Sequence, residues 1–320
     1  MTIEVVDPHD LPRLLEWNAV LRDGYASGRS HVWSRSDEAT RSQFHHPHPT
    51  RVSVLLMAEV AGVAVGAAEA HMRPGEPADV EIAVREDCRR RGVGRALLEA
   101  VRSALRGAAT VMRAETSTEA GVAFARSAGL DVGTREIRQI VELPVPENRL
   151  AGRAGAPAGV EVLSWSGRCP DDVLDDWARL RSQMSAEVPS GELTRTLETA
   201  DVEAVRRNEQ RMSAQGYTLV RSLAREHGDA VGYTEILVSR ADPEIGYQDD
   251  TFVEERARGR GIGRAMKVAN LRQLMTVPES TASRILQTYT EPGNAPMLAL
   301  NRSLGFEEAD VLTVLEGPLG

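Results

Sequence analysis

The sequence predicts a mixed α/β fold built twice over in one chain. Three observations carry that expectation. The length, 320 residues, is about twice the commonest domain size. The composition, 42% hydrophobic and 27% charged, belongs to a chain that can bury a core. The third is a repeat: Val80-Glu-Ile-Ala-Val-Arg-Glu-Asp-Cys-Arg-Arg-Arg-Gly-Val-Gly-Arg-Ala-Leu97 returns as Asp250-Thr-Phe-Val-Glu-Glu-Arg-Ala-Arg-Gly-Arg-Gly-Ile-Gly-Arg-Ala-Met266. Arg89 and Arg258 correspond at an offset of 169. Upstream, Ala64–Glu69 matches Ala230–Glu235 at 166, and downstream Arg126–Leu130 matches Arg302–Phe306 at 176. Three blocks in one order at nearly one offset indicate two copies of one domain.

The elements follow in order. Residues 51–60 are mostly apolar and read as a strand; Gly62 allows a turn, and 63–71 returns as the second arm of a hairpin. Residues 80–84 form a third strand. From Gly92 onward the pattern turns helical, with Leu97, Leu98, Val101 and Leu105 on one stripe. A strand (110–114), a helix (119–127) and a last strand (134–143) complete the copy. The second copy repeats the plan over 218–225, 230–239, 249–253, 261–274, 284–289 and 297–303. An antiparallel front joined to a strand-helix-strand back gives a mixed, largely antiparallel sheet flanked by helices. Residues 144–159, rich in Pro, Gly and Ala, read as a linker. The expected domains are 1–146 and 160–320, joined by 147–159.

Composition also excludes classes. A net charge of −9 argues against a general nucleic-acid binder and weakly favours a cationic substrate. The 38 basic residues include a single lysine, Lys267, which reads as coding bias because the arginines are dispersed. No apolar run approaches the ~18 residues of a membrane span, so no membrane partner is expected. The N-terminus lacks a signal-peptide pattern, which makes the cytoplasm the expected compartment. Cys88 and Cys169 cannot build a disulfide framework or a zinc site, and read as plain thiols. The histidines of Phe44-His-His-Pro-His-Pro49 lie among prolines in an expected loop without carboxylate or thiolate partners, so no metal is expected. Trp165, Trp177 and Met184 read as core or pocket lining, and 198–211 as a solvated helix face.

Both copies carry Arg-x-x-Gly-x-Gly between a strand and a helix: Arg89, Gly92, Gly94 and Arg258, Gly261, Gly263. Such glycines let backbone approach a ligand, and a fresh helix N-terminus offers unpaired N–H groups suited to a pyrophosphate. The spacing is neither that of a nucleotide P-loop nor that of a dinucleotide-binding fold.

These residues, with the closing Asn294-Ala-Pro-Met-Leu-Ala-Leu-Asn-Arg-Ser-Leu-Gly-Phe306, resemble the acyl-CoA-binding motif and final block of the GNAT N-acetyltransferase superfamily. The likeness covers both halves, so the chain is similar to tandem GNAT proteins of the actinobacterial, mycothiol synthase-like type. The resemblance implies acetyl-CoA or another acyl-CoA as co-substrate. Its pyrophosphate would rest on the loops Arg89, Arg90, Arg91, Gly92, Val93, Gly94, Arg95 and Arg258, Gly259, Arg260, Gly261, Ile262, Gly263, Arg264. Strand backbone at Ile82 and Val84, and at Thr251, Phe252 and Val253, would pair with the pantetheine arm, and Asn294 would lie beside it.

Acyl transfer to an amine needs a base and sometimes an acid. Glu69 and Glu81 in the first copy match Glu235 and Asp250 in the second; Glu81, Glu235 and Asp250 are the candidate bases, with solvated strand positions as the competing reading. Many relatives have a tyrosine four residues before the final glycine, where this chain has Ala125 and Asn301; Tyr289 is the nearest substitute acid. Asn294 against Thr118, and Gly-Phe against Gly-Leu, favour the second copy for chemistry. The expected function is acetyl transfer to a primary amine of a small molecule, by a monomer or homodimer. The alternatives are a non-catalytic acyl-CoA-binding or regulatory protein, and transfer to a protein amine.

Overall fold

The apolar runs of each copy pair into antiparallel meanders, and the chain then wraps helices over them. The computed structural model describes residues 1–151, 156–187, 191–195 and 200–320. It comprises two compact units: Met1–Glu136 with Ser190–Thr196 and Asp310–Gly320, and Ile137–Pro189 with Leu197–Ala309.

The first copy runs β1 (Thr2–Val5), α1 (Leu11–Ala26), α2 (Asp37–His45), β2 (Val52–Val60), β3 (Val63–Met72), β4 (Ala78–Val84), α3 (Val93–Ala104), β5 (Val111–Thr116), α4 (Glu119–Ser127) and β6 (Asp131–Glu142). The second runs α5 (Glu147–Ala151), β7 (Val160–Ser166), α6 (Leu174–Glu187), α7 (Val202–Ala214), β8 (Tyr217–Glu226), β9 (Asp229–Ser239), β10 (Ile245–Val253), α8 (Ile262–Leu274), β11 (Ile285–Thr290), α9 (Ala295–Ser303) and β12 (Glu307–Pro318).

In the first unit the strand order is β1-β2-β3-β4-β5, and β12 pairs with β5 antiparallel, Thr313 opposite Thr116 through Pro318 opposite Val111. In the second unit the order is β11-β10-β9-β8-β7, and the end of β6 pairs with β11, Ile137 opposite Thr290 through Glu142 opposite Ile285. The compact units therefore do not coincide with the contiguous division at 146 and 160. Nor is the Pro/Gly-rich stretch all linker: Val145 and Leu150 are buried in the core of the second unit, and α5 lies within it.

Among the described residues the named strands within each unit pair antiparallel except β4 with β5 and β10 with β11. Both parallel pairs are short. The first holds only at Ala78–Met112 and Asp79–Arg113, the second only from Ile245–Ile285 to Tyr247–Gln287. Beyond those points β4 and β10 part from their neighbours. The expected stripe Leu97, Leu98, Val101 and Leu105 is buried in the first core. Gly66 and its counterpart Gly232 are required by packing: a Cβ would lie 2.8 Å from Val93 Cγ1 in one and 2.6 Å from the Phe252 carbonyl oxygen in the other.

Candidate functional site

Each Gly-x-Gly loop turns a strand end into a helix. Gly92 and Gly261 sit at φ of 86° and 85°, in the left-handed region, directly before α3 and α8. The first N–H used inside each helix is that of Ala96, donating to the Gly92 carbonyl, and that of Ala265, donating to Gly261. The N–H groups of Val93, Gly94 and Arg95, and of Ile262, Gly263 and Arg264, thus precede the ladder, as an anion site requires. Gly94 and Gly263 are not demanded by packing. A Cβ would meet its nearest neighbours, Phe124 and Leu300, at ordinary distances of 3.5 and 3.6 Å. The space over each is left open by the protein, as a close approach of a ligand to the backbone would need.

The loop arginines divide into two sets. Arg89 and Arg258 reach back to the carbonyls that end their strands, Val84 at 3.0 Å and Val253 at 2.8 Å, and so brace the turns. In the second loop Arg258 also donates to Glu187, Arg260 to Glu226, and Arg264 to Ser303 and the Arg149 carbonyl. Arg90, Arg91 and Arg95 of the first loop make no side-chain hydrogen bond or ion pair among the described residues. Gly259, at φ 75°, occupies the place where the first loop holds Arg90 at φ 62°.

Ile82 and Val84 lie on β4 beyond its last pair with β5, and Thr251, Phe252 and Val253 lie on β10 beyond its last pair with β11. These are open strand edges leading from each glycine loop. Asn294 is the N-cap of α9, its side chain accepting from the Met297 N–H at 3.2 Å; Thr118 caps α4 in the same way.

The carboxylates separate by environment. Glu69 and Glu81 face each other across β3 and β4, and Arg35 donates to Glu69. Burial, followed by the charge of Glu69, pushes Glu81 up to about 8, with Arg35 opposing. In the second unit Glu235 is 2% exposed and is gripped by two guanidiniums, Arg221 and, at 3.0 Å, Arg181. Burial opposes its ionisation, but Arg221 and Arg181 overcome it and hold Glu235 below the usual carboxylate range. Arg221 also grips Glu209 and stacks 4.8 Å over Trp177. Glu209 is buried and accepts from the Cys169 N–H, so α7 is not wholly the solvated face expected; Glu198 lies outside the described residues.

Between Gln248 and Thr251 the pairing of β9 and β10 slips: Asp249 and Asp250 together oppose Glu235. The bulge is held open by side chains. Gln248 donates to the Glu235 carbonyl at 2.7 Å, and Thr234 donates to the Asp250 carbonyl at 3.1 Å. Asp250 accepts from the Tyr233 hydroxyl at 3.0 Å and has Arg181 3.9 Å away. Burial first, then the charges of Asp250 and Glu235, raise the Asp249 carboxyl well above the usual carboxylate range. The equivalent stretch of the first unit has no slip, from Gly66–Val84 to His71–Asp79. Tyr289 stands on β11 just past the parting point, its ring 6.1 Å from that of Tyr247.

Sequence reasoning missed Asp249, Arg35, Arg181 and Arg221. One signal for Asp249 was available: at the loop offset it falls where the first copy has the buried Val80. Nothing in the sequence joins Arg181 to Glu235, which lies 54 residues away.

The other features resolve as follows. Trp165, Trp177 and Tyr233 meet edge to face with centroids 5.3 and 4.8 Å apart, and Tyr233 contacts Met184, all within one core. Phe44 and His45 close α2 and are not in a loop; Phe44 packs on Trp17. Cys169 is fully buried and its thiol is pushed up to about 12. Among the described residues no group of His, Cys, Asp and Glu could hold a metal ion, and no helix is long and apolar enough to cross a membrane.

Known proteins with the same pattern can now be set beside this one. The acetyltransferase (GNAT) family matches residues 16–129 and again 180–306. Relatives named mycothiol acetyltransferase are 29% identical over 309 residues in Salinispora tropica, covering 94% of this chain and 92% of that one, and 31% identical over 266 residues in Clavibacter michiganensis, covering 81% and 78%. In fold, the chain is similar to a tandem GNAT protein from the clavulanic acid biosynthesis pathway, with a TM-score of 0.82 at 23% identity over 100% of this chain and 98% of that one. A GCN5-related N-acetyltransferase from Sphaerobacter thermophilus gives 0.66 at 18% identity, covering 99% and 95%. With two matched regions and a glycine loop in each, the chain belongs to the GNAT acetyltransferase family, as a tandem acyl-CoA-dependent N-acetyltransferase.

Proposed function

We propose that the protein transfers an acetyl group from acetyl-CoA to the primary amine of a small molecule, and that the chemistry belongs to the second unit. The observation that carries this is the bulge at Asp249 and Asp250. A bulge takes an extra residue out of the ladder and re-aims neighbouring side chains, which is why bulges gather at active sites. Here it falls where β10 has parted from β11, on the strand that leads into the Gly261–Gly263 loop.

Acetyl-CoA supplies an activated thioester. The chain's own residues hold it and manage one proton. The N–H groups of Ile262, Gly263 and Arg264 fit its pyrophosphate, and the open edge of Thr251–Val253 fits the pantetheine arm. An amine attacks only when neutral, so a base must accept its proton. Asp249 suits that task, because burial and the neighbouring charges raise its carboxyl, which therefore holds a proton better than an ordinary one. Glu235 does not, since two arginines keep it a weak base; its role is to fix Arg181 beside Asp250. Ammonium would be drawn to the bulge by Asp249 and Asp250. A small acceptor is also in keeping with the relatives named mycothiol acetyltransferase.

The test is a thiol-release assay with acetyl-CoA against a panel of amines. Asp249→Asn is expected to lower kcat by about 10²–10⁴ while acetyl-CoA still binds. Gly263→Glu is expected to abolish both binding at that loop and turnover. Turnover that survives Asp249→Asn and Gly263→Glu but is lost in Glu81→Gln would place the chemistry in the first unit instead.

A further inference from the structure

Lys267, the only lysine of the chain, is buried on α8, and its ammonium donates to Asn301 Oδ1 at 2.7 Å beside the ring of Phe306. An ammonium carries three N–H donors, and the other two have no partner among the described residues. Asn301 is fully buried and donates in turn to Gln139 at 2.9 Å and to Thr290 Oγ1 at 3.4 Å. The Nε2 group of Gln139 is buried and also lacks a hydrogen-bond partner. The cluster therefore has donors to spare. Burial is the one cause that pulls Lys267 down to about 7, with no neighbouring charge adding to it or opposing it. A buried cation without a counter-charge is costly, and a negative charge arriving nearby would offset that cost.

The cluster stands beside the opening between β10 and β11. Gly263 lies one turn before Lys267 on the same face of α8, and a Cβ on Gly263 would first meet Leu300, the neighbour of Asn301. A helix that joins two parallel strands runs back along them. Lys267 is about 7.5 Å along α8 from Ile262, and Thr251 is about 7 Å back along β10 from Val253. The ammonium is thus level with the strand edge that fits the pantetheine arm. Across the opening, Thr290 is three residues past Gln287, just as Asp250 is three past Tyr247, the last pair of the two strands. Tyr289 faces the other way, beside Tyr247. On the α8 side the wall of the opening is Thr290, backed by Asn301 and Lys267.

We propose that Lys267 is a positioning residue for the leaving group: its buried ammonium, held by Asn301, faces the CoA sulfur across Thr290 and stabilises the negative charge that sulfur acquires. This role rests on the second unit being the transfer centre, because it acts only on a thioester seated along β10. There the amine nitrogen bonds to the acetyl carbon and the C–S bond breaks with its electron pair on sulfur. The proton shed by nitrogen goes to Asp249, so sulfur departs as a thiolate. Away from water, a unit charge a few ångströms off acts far more strongly than in solvent. Thiolate and ammonium each favour the charged form of the other.

Absorbance titration of the bound CoA thiol tests this without an acceptor amine. The full chain carries Gly94→Glu, so that CoA occupies only the second loop, and the desulfo-CoA complex is the blank for tyrosine and cysteine ionisation. The thiol is expected to titrate about one pH unit or more lower on this protein than on its Lys267→Met derivative, about a tenfold difference in thiolate. Lys267→Met replaces a buried charge by an apolar side chain of similar length, which the fold tolerates. Asn301→Asp keeps the lysine but pairs its charge, and is expected to match Lys267→Met. In turnover both are expected to lower kcat about tenfold or more while the KM for acetyl-CoA stays within about twofold. A lysine with only a structural role would leave the thiol titration unmoved. Titrations that coincide in the three proteins while CoA binds overturn the proposal and leave the transfer reading standing. CoA that fails to bind once Gly94→Glu is present removes both.

Discussion

Gly94 and Gly263 stand in the first turn of their helices, where glycine is weaker than alanine by about 0.5–1 kcal/mol. The room for a Cβ at both positions means that folding does not impose this cost. Gly94→Ala and Gly263→Ala are therefore expected to raise the unfolding free energy by about 0.5–1 kcal/mol and to weaken acetyl-CoA binding at the altered loop. Denaturant melts paired with calorimetry check both signs; unchanged CoA affinity would remove the reason given for these glycines. The only lysine makes a second argument at this scale. Lys267 is 2% exposed on α8 and donates to Asn301 Oδ1 at 2.7 Å, with Phe306 under its ammonium at 5.5 Å. Burial alone pulls its pKa down to about 7. Between there and the free value near 10.4, the unfolded chain binds a proton that the folded chain does not, so stability rises with pH across that window. Below it both states are charged and the full cost of burial stands. Lys267→Leu, matching Leu98 of the first copy, removes the titrating group together with its hydrogen bond to Asn301 and is expected to flatten the rise. Equal pH slopes for the two proteins in urea melts from pH 7 to 10 would contradict this. Composition had presented Lys267 as incidental; its burial could not be read from a count.

Most of the elements were legible, because hydrophobic period and glycine punctuation are local. The helix at Glu119–Ser127 falls where the pattern placed it. What escaped was register. The bulge in β10 depends on Gln248 and Thr234 taking up the carbonyls it frees, an interaction between strands that no single segment encodes. The same holds for Arg221, which lies opposite Glu235 on β8 and joins it to Glu209 of α7. In the first copy Leu55 occupies that place opposite Glu69. Removing one partner of a buried ion network leaves charges stranded. Arg221→Met is expected to cost about 3–5 kcal/mol, read as a fall in melting temperature, and to lift Glu235 out of its depressed range as one of its two arginines is lost. A melting temperature within about a degree of wild type would show that the network carries little of the stability of β8, β9 and α7.

At the level of the molecule, each unit takes a strand from beyond its own copy. β5 is paired by β12, and β11 by the end of β6. A chain divided at the apparent linker would strip the first unit of the strand that pairs residues 111–116, and the second of the strand that pairs 285–290. Fragments 1–146 and 160–320 expressed apart are therefore expected to melt far below the whole chain or to aggregate through open strand edges. Co-expression is expected to recover the native melt. Two separately stable, cooperatively melting fragments would refute the expectation.

The sequence by itself determined the family, the duplication and the place of both glycine loops, because these rest on residue type and spacing along one strand-to-helix turn. Only the tertiary structure decided how each carboxyl is held. Glu235 and Asp249 are both acids on neighbouring strands, yet Arg221 and Arg181 lower one while burial raises the other. The arginines that make the difference arrive from β8 and α6, and a charge's surroundings are set by what the fold brings within a few ångströms, whatever the distance along the chain.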